Sequence, residues 1–273
     1  MSNSLRKIKH LVGKRHIHGL TSAVRVLPDF LVIGVVRSGT TSLYHNLDQH
    51  PNIVKSAYDE LGYFDSNFHL GLNWYRSMFP TKFHKKKIIK KYGKFLTYDV
   101  TPFYIYNEMV PKRIHNVLPN IKLIAVLRNP VDRAYSNFHL SIRESGITEP
   151  FEKIVEDEKK IIKNINKDND EEYYKFVHDS MLARGFYAEQ LERWYKIFPK
   201  EQILIIKSEE LATETNKVMN EIFQFLGLKE YNITHVIKKN KADYVPMNKE
   251  IRKELIEYFK PYNEKLYSLI NKL

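Results

Sequence analysis

Continuous apolar runs alternate with amphipathic stretches along most of the chain, and the alternation predicts strands and helices in turn. Phe30–Val36 (FLVIGVV) is apolar without interruption, the pattern of a strand covered on both faces. From Thr40 to about Gln49, Leu43 and Leu47 share one helical face, and Pro51 stops the helix. Ile53–Ser56 predicts a second strand, 73–92 a charged helical stretch, Leu96–Val100 a third strand, and Pro111–Leu118 a short helix. IKLIAVLR at 121–128 is another buried strand, and Val131 to about Arg143 is helical again. Residues 149–175 read as a charged helix running into a mobile segment, KNINKDNDEE. Met181–Phe198 is strongly amphipathic, Gln202–Ile206 is a strand, and Glu209–Leu226 is a helix closed by Gly227. The loop NITHVIKKNKADYVP then leads to two closing helices, at about 247–259 and 262–271. This order predicts an α/β fold of three layers, a mainly parallel central sheet flanked by helices. No internal repeat or linker interrupts it, so 29–273 reads as one domain behind a basic arm, 1–28.

Charge changes the picture next. Lys and Arg number 44 against 32 Asp and Glu, a net charge of +12. That field favours anionic partners such as nucleotides, nucleic acid, acidic glycans or membrane surfaces, although a lysine-rich surface kept for solubility accounts for the same balance. The excess is clustered: Arg6, Lys7, Lys9, Lys14, Arg15 and Arg25 in the arm, KFHKKKIIKKYGK at 82–94, and KKNK at 238–241. There is no cysteine, which excludes disulfides, thiolate metal sites and cysteine nucleophiles. The 11 histidines show no ligand spacing of the H-E-x-x-H kind, so no metal is expected. No apolar run approaches the roughly 20 residues that span a bilayer. The basic amino terminus is not followed by a signal-type apolar stretch. Together these predict a cytoplasmic protein without a transmembrane segment, its basic arm leaving room for peripheral contact with anionic lipid.

Two stretches carry candidate chemistry. FLVIGVVRSGTTSLY (30–44) places Gly34 and Gly39 at the spacing of a phosphate-binding P-loop, G-x-x-x-x-G-K-[ST]. The lysine of that pattern is replaced by Thr40. Backbone N–H groups turned inward by the glycines, the positive end of the following helix and the hydroxyls of Thr40, Thr41 and Ser42 would cradle an anion. Arg37 is the loop's only cation. Without the lysine, and without an evident strand-end Asp for Mg²⁺, nucleoside triphosphate chemistry loses its means of neutralising charge. An ordinary strand–turn–helix junction is the plain alternative. In LRNPVDRAYS (127–136), Arg128 ends a buried strand and Ser136 lies about two helical turns on, a guanidinium fork and a hydroxyl suited to a second phosphate. A strand-end ion pair is the plain alternative there.

GVVRSGTTSLYHNLDQHP resembles the 5′-phosphosulfate loop of sulfotransferases that use 3′-phosphoadenosine 5′-phosphosulfate (PAPS), and LIAVLRNPVDRAYSNF resembles their 3′-phosphate site. The resemblance is to the carbohydrate branch, the heparan-sulfate N- and O-sulfotransferase-like proteins. It extends through ELGYFD, LNWYRSMFP, DVTPFY, VPKRIHNVLPNIKLI and ARGFYAEQLERWYKIFP, most of residues 29–270. It implies a P-loop-like sulfotransferase domain over 29–273, PAPS as co-substrate, no metal, and a glycan or glycolipid acceptor rather than nucleic acid. It places Arg37 where the family has its loop lysine, beside the bridging oxygen of the leaving group. Ser38, Gly39, Thr40, Thr41 and Ser42 would hold the 5′ end, Arg128 and Ser136 the 3′-phosphate, and Lys241 would add a basic contact from the late loop. Glu60, in YDELGYFD, stands where the glycan-acting relatives carry their catalytic base, with Asp59 beside it. Val100 stands where many relatives have a lysine, in the sequence Glu-Lys-Thr-Pro that reads Asp-Val-Thr-Pro here (99–102). The rival readings are a P-loop kinase, which Thr40 argues against, and a basic nucleic-acid-binding module, which would show one basic stripe with exposed aromatics.

Overall fold

The computed structural model describes residues 21–166, 170–238 and 244–271. Most of the predicted arm and Lys241 lie outside them. Five strands, β1 (Phe30–Gly34), β2 (Ile53–Lys55), β3 (Leu96–Val100), β4 (Lys122–Leu127) and β5 (Ile203–Lys207), form one sheet in the order β2-β3-β1-β4-β5. Every pair is parallel. The uninterrupted apolar run of β1 has a direct cause in this placement. Phe30 and Val32 enter one core, with Leu43, Leu47 and Met219, while Leu31 and Ile33 enter the other, with Tyr75, Tyr104 and Trp194.

The helix α1 (Thr40–Leu47) follows β1 on the first face. On the second lie α2 (Gly71–Ser77), α4 (Met109–Val117) and α5 (Pro130–Ser145), which follows β4. Between α2 and α4 runs α3 (Lys82–Tyr92), none of whose residues is buried. Adjacent strands β1 and β4 therefore send their helices to opposite faces, and a crevice opens between their carboxyl ends. Gly34 is the last residue of β1. A Cβ there would lie 2.6 Å from Ile105 Cγ2, so the first glycine of the loop pattern is required by close packing.

Several predicted helices are divided, each for a local reason. The stretch 73–92 breaks at Pro80, and Thr81 caps α3 by accepting from His84 N at 3.1 Å. The charged region resolves into α6 (Phe151–Asn164) and α7 (Asp170–Asp179). The helix predicted from Met181 begins later, as α8 (Tyr187–Tyr195). Buried Glu158 takes hydrogen bonds from Ser180 Oγ, Met181 N and Leu182 N at 2.7, 2.6 and 2.7 Å and holds that segment out of helix. The stretch 209–226 becomes α9 (Ser208–Thr213) and α10 (Thr215–Phe225), with Thr213 and Thr215 both bonding back to carbonyls four residues earlier. Conversely, the two closing helices are one, α11 (Lys249–Asn271), running through Pro261. Ile251, Leu255, Phe259 and Leu266 keep a single buried stripe across the proline, and that packing outweighs its cost of about 3 kcal/mol. Among the described residues, no helix is long and apolar enough to cross a membrane.

Candidate functional site

A cleft of about 1010 Å³ opens at the carboxyl edge of the sheet, lined by residues of both phosphate-type motifs. Arg37, Ser38, Gly39, Thr40, Thr41 and Ser42 come from the loop after β1, Arg128 from the end of β4, and Ser136 from α5. The two motifs touch. Arg128 Nη1 donates to the Arg37 carbonyl at 2.9 Å, and Arg37 Nε donates to Ser136 Oγ at 3.0 Å. Tyr187 fixes the strand end from behind, its hydroxyl donating to the Arg128 carbonyl at 2.8 Å. That is a packing role, with the ring buried. Gly39, at φ +91°, is the left-handed residue that starts α1, a conformation glycine adopts without strain. Ser38 is fully buried and donates its hydroxyl to Val35 O at 2.5 Å, so its backbone N–H is what it can offer an anion.

The electrostatics are those of a site built for negative charge. Burial depresses the pKa of the Arg37 guanidinium, and the like charges of Arg128 and Arg143 depress it further. Arg184, also on the cleft wall, is held down by burial too. Its Nη1 donates to Asn137 Oδ1 at 3.2 Å and its guanidinium lies 5.1 Å from the Phe103 ring centroid. Crowding half-buried cations is unfavourable until an anion arrives between them.

Asp59 and Glu60, both exposed, line the same cleft. Among the described residues, Arg37 (φ +70°) and Glu60 (φ +52°) are the non-glycine residues with left-handed backbone. Such conformations cost on the order of 1–3 kcal/mol and persist where the surroundings hold them. Here Glu60 N donates to Val100 O at 2.9 Å, and the Val100 side chain is buried among Phe30, Val32 and Tyr98 on the far face.

Beneath Glu60 lies Asp99, with no accessible surface. It accepts from Thr101 Oγ1 at 2.9 Å, Tyr104 OH at 2.9 Å and Tyr75 OH at 3.1 Å. Burial pushes its carboxyl up to about 6, while these hydroxyls and Leu61 N–H pull the other way. The ordinary value is 3.8, so between about pH 4 and 6 the unfolded chain releases this proton first. Stability is therefore expected to fall as pH rises through that window, by on the order of 3 kcal/mol, and to level off above it. Asp99→Asn should lack the slope. Urea midpoints of the two proteins, compared from acid to neutral pH, check this, and parallel curves would refute it.

Arg37, Arg128, Ser136 and Glu60, singled out from the sequence, all line this one cleft. Sequence reasoning missed Arg184 as a cleft residue and Asp99 and Thr101 as the support under Glu60. The first lay inside the ARGFY stretch with no spacing rule to single it out. The others read as ordinary strand-end residues. No group of three or more His, Asp or Glu among the described residues could hold a metal ion.

Comparison with known proteins points the same way. Residues 27–265 match the family model for the sulfotransferase domain. The chain is 32% identical over 317 residues to the membrane-associated sulfotransferase kil1 of Dictyostelium discoideum, covering 90% of this chain and 66% of that protein. It is 29% identical over 279 residues to the bifunctional heparan sulfate N-deacetylase/N-sulfotransferase 3 of Homo sapiens, covering 90% of this chain and 30% of that protein. The chain thus spans about two thirds of the first relative and under a third of the second. The crystal structure of a sulfotransferase from Alicyclobacillus acidocaldarius superposes with a TM-score of 0.68 at 25% identity, covering 90% of this chain and 96% of that one.

Proposed function

The chain belongs to the sulfotransferase domain family, and from that premise we propose that it moves a sulfuryl group from PAPS to a hydroxyl or amine of a heparan-sulfate-type glycan. The observation that carries the reading is the meeting of Arg37, Arg128 and Ser136 across the β1–β4 crevice, in a cleft that Glu60 also lines. A nucleotide with phosphate at both ends of its ribose needs two anion sites within one molecule's reach. The residues present fit it: Arg128 and Ser136 for the 3′-phosphate, the 37–42 loop and the positive end of α1 for the 5′ end.

PAPS, when bound, supplies the activated sulfuryl group. Glu60 takes the proton from the acceptor hydroxyl or amine as its lone pair forms the new bond to sulfur. The bond between sulfur and the bridging phosphate oxygen breaks, and that oxygen keeps the electron pair. Arg37 sets its guanidinium against the charge that builds there. The products are the sulfated acceptor, adenosine 3′,5′-bisphosphate and a protonated Glu60, which returns its proton to water. Orientation and charge neutralisation supply the catalysis, and no step requires a metal.

A thermal-shift panel tests the nucleotide reading against its rivals. Adenosine 3′,5′-bisphosphate at a hundredfold excess over its Kd is expected to stabilise the protein by about 2.7 kcal/mol, with ATP–Mg²⁺ and oligonucleotides giving less. The largest shift with ATP–Mg²⁺ would make it a kinase-type site. Radiolabelled sulfate transfer across glycan and glycolipid acceptors then identifies the acceptor class.

A further inference from the structure

The loop that carries Glu60 is sewn to the end of β3 by its own backbone. Glu60 N donates to Val100 O at 2.9 Å, Gly62 N to Thr101 Oγ1 at 3.2 Å, and Phe64 N to Tyr104 OH at 3.3 Å. The Leu61 N–H is near enough to the Asp99 carboxylate to draw its pKa down. Thr101 is the junction of this seam. Its own N–H is fixed to Val32 O of β1 at 3.0 Å, and its side chain is buried at 3% exposure. A hydroxyl has one proton to give. Asp99 Oδ1, 2.9 Å away, takes it, which leaves the hydroxyl's lone pairs toward Gly62 N–H. The buried carboxylate thereby sets the direction of a hydrogen bond two residues beyond Glu60.

We infer that Thr101, oriented by Asp99, is a positioning residue that holds the 60–64 loop and aims Glu60 across the cleft. This rests on the reading of Glu60 as the base. A left-handed glutamate persists where its surroundings hold it, and the bonds made by the residues that follow it are part of that hold.

Tyr75 supplies the control. Its hydroxyl also donates to Asp99, at 3.1 Å, but it comes from α2 and makes no bond to the 60–64 backbone. Thr101→Val and Tyr75→Phe each remove one donor from the same buried carboxylate, and only the first cuts the seam. Turnover would be followed in the full chain at saturating PAPS with N-deacetylated heparosan as acceptor, well below the melting temperature. Thr101→Val is expected to lower kcat roughly 10–100-fold, the scale of a misplaced catalytic group, with unchanged affinity for adenosine 3′,5′-bisphosphate. Thr101→Ser should restore kcat, and Tyr75→Phe should leave it near the parent value. Unchanged kcat in Thr101→Val, or equal losses in Thr101→Val and Tyr75→Phe, would overturn the assignment. Glu60→Gln assayed alongside separates the two levels. Full turnover in that variant would remove the base and its positioning together, whereas its loss beside a fully active Thr101→Val would remove only the positioning.

Discussion

Glu60→Gln is expected to reduce sulfuryl transfer by roughly 10²–10⁴-fold, the range for loss of a general base, while nucleotide binding persists. The substitution keeps the side chain's length and shape, so the left-handed backbone and the bond from Glu60 N to Val100 O stay in place. What disappears is the acceptor for the departing proton. Asp59 is the necessary comparison, because it lines the same wall one residue earlier. Its neighbour Glu60 is the residue tied to the strand end, at its own N–H and two residues on at Gly62 N–H. Asp59→Asn should therefore cost little. Single-turnover transfer of radiolabelled sulfate measures both, and calorimetry with adenosine 3′,5′-bisphosphate confirms that binding is intact. A large loss in Asp59→Asn with an active Glu60→Gln would exchange their roles.

The parts of this molecule that sequence makes legible are those whose physics is local or strictly periodic. The β1 run could be read because each of its residues must be apolar to enter one core or the other. Gly34, Gly39 and the helix start at Thr40 could be read because a tight turn into a helix constrains residue type at fixed spacing. Arg128 could be read because a cation ending an apolar strand has few uses besides a ligand or an ion pair. The divided helices were not legible, because their breaks depend on tertiary partners. Glu158, more than twenty residues upstream, unwinds the segment before α8, and the stripe from Ile251 to Leu266 keeps α11 whole through Pro261. The support under Glu60 was hidden for the same reason. Gly62 and Thr101 are 39 residues apart and meet only once the 60–64 loop is laid against the end of β3.

Arg128→Ala is expected to weaken binding of adenosine 3′,5′-bisphosphate by about 1.5–3 kcal/mol, the worth of a hydrogen bond to a charged group, or roughly 10–150-fold. Two losses combine. The fork that would grip the 3′-phosphate is gone, and so is the 2.9 Å bond from Arg128 Nη1 to the Arg37 carbonyl, one tether of a loop residue with φ +70°. A third effect has the opposite sign. Arg128 repels the half-buried Arg37 guanidinium, so its removal relieves the free protein. The variant should accordingly keep its melting temperature without ligand and lose most of the shift that ligand confers. Arg128→Lys tests how the roles divide, because an ammonium keeps the charge but has no planar fork to serve a phosphate and a carbonyl together. An affinity between those of the parent and Arg128→Ala is expected. Calorimetry decides the matter: undiminished affinity in Arg128→Ala would mean that the nucleotide's second phosphate lies elsewhere, and the two motifs would then meet for structural reasons alone.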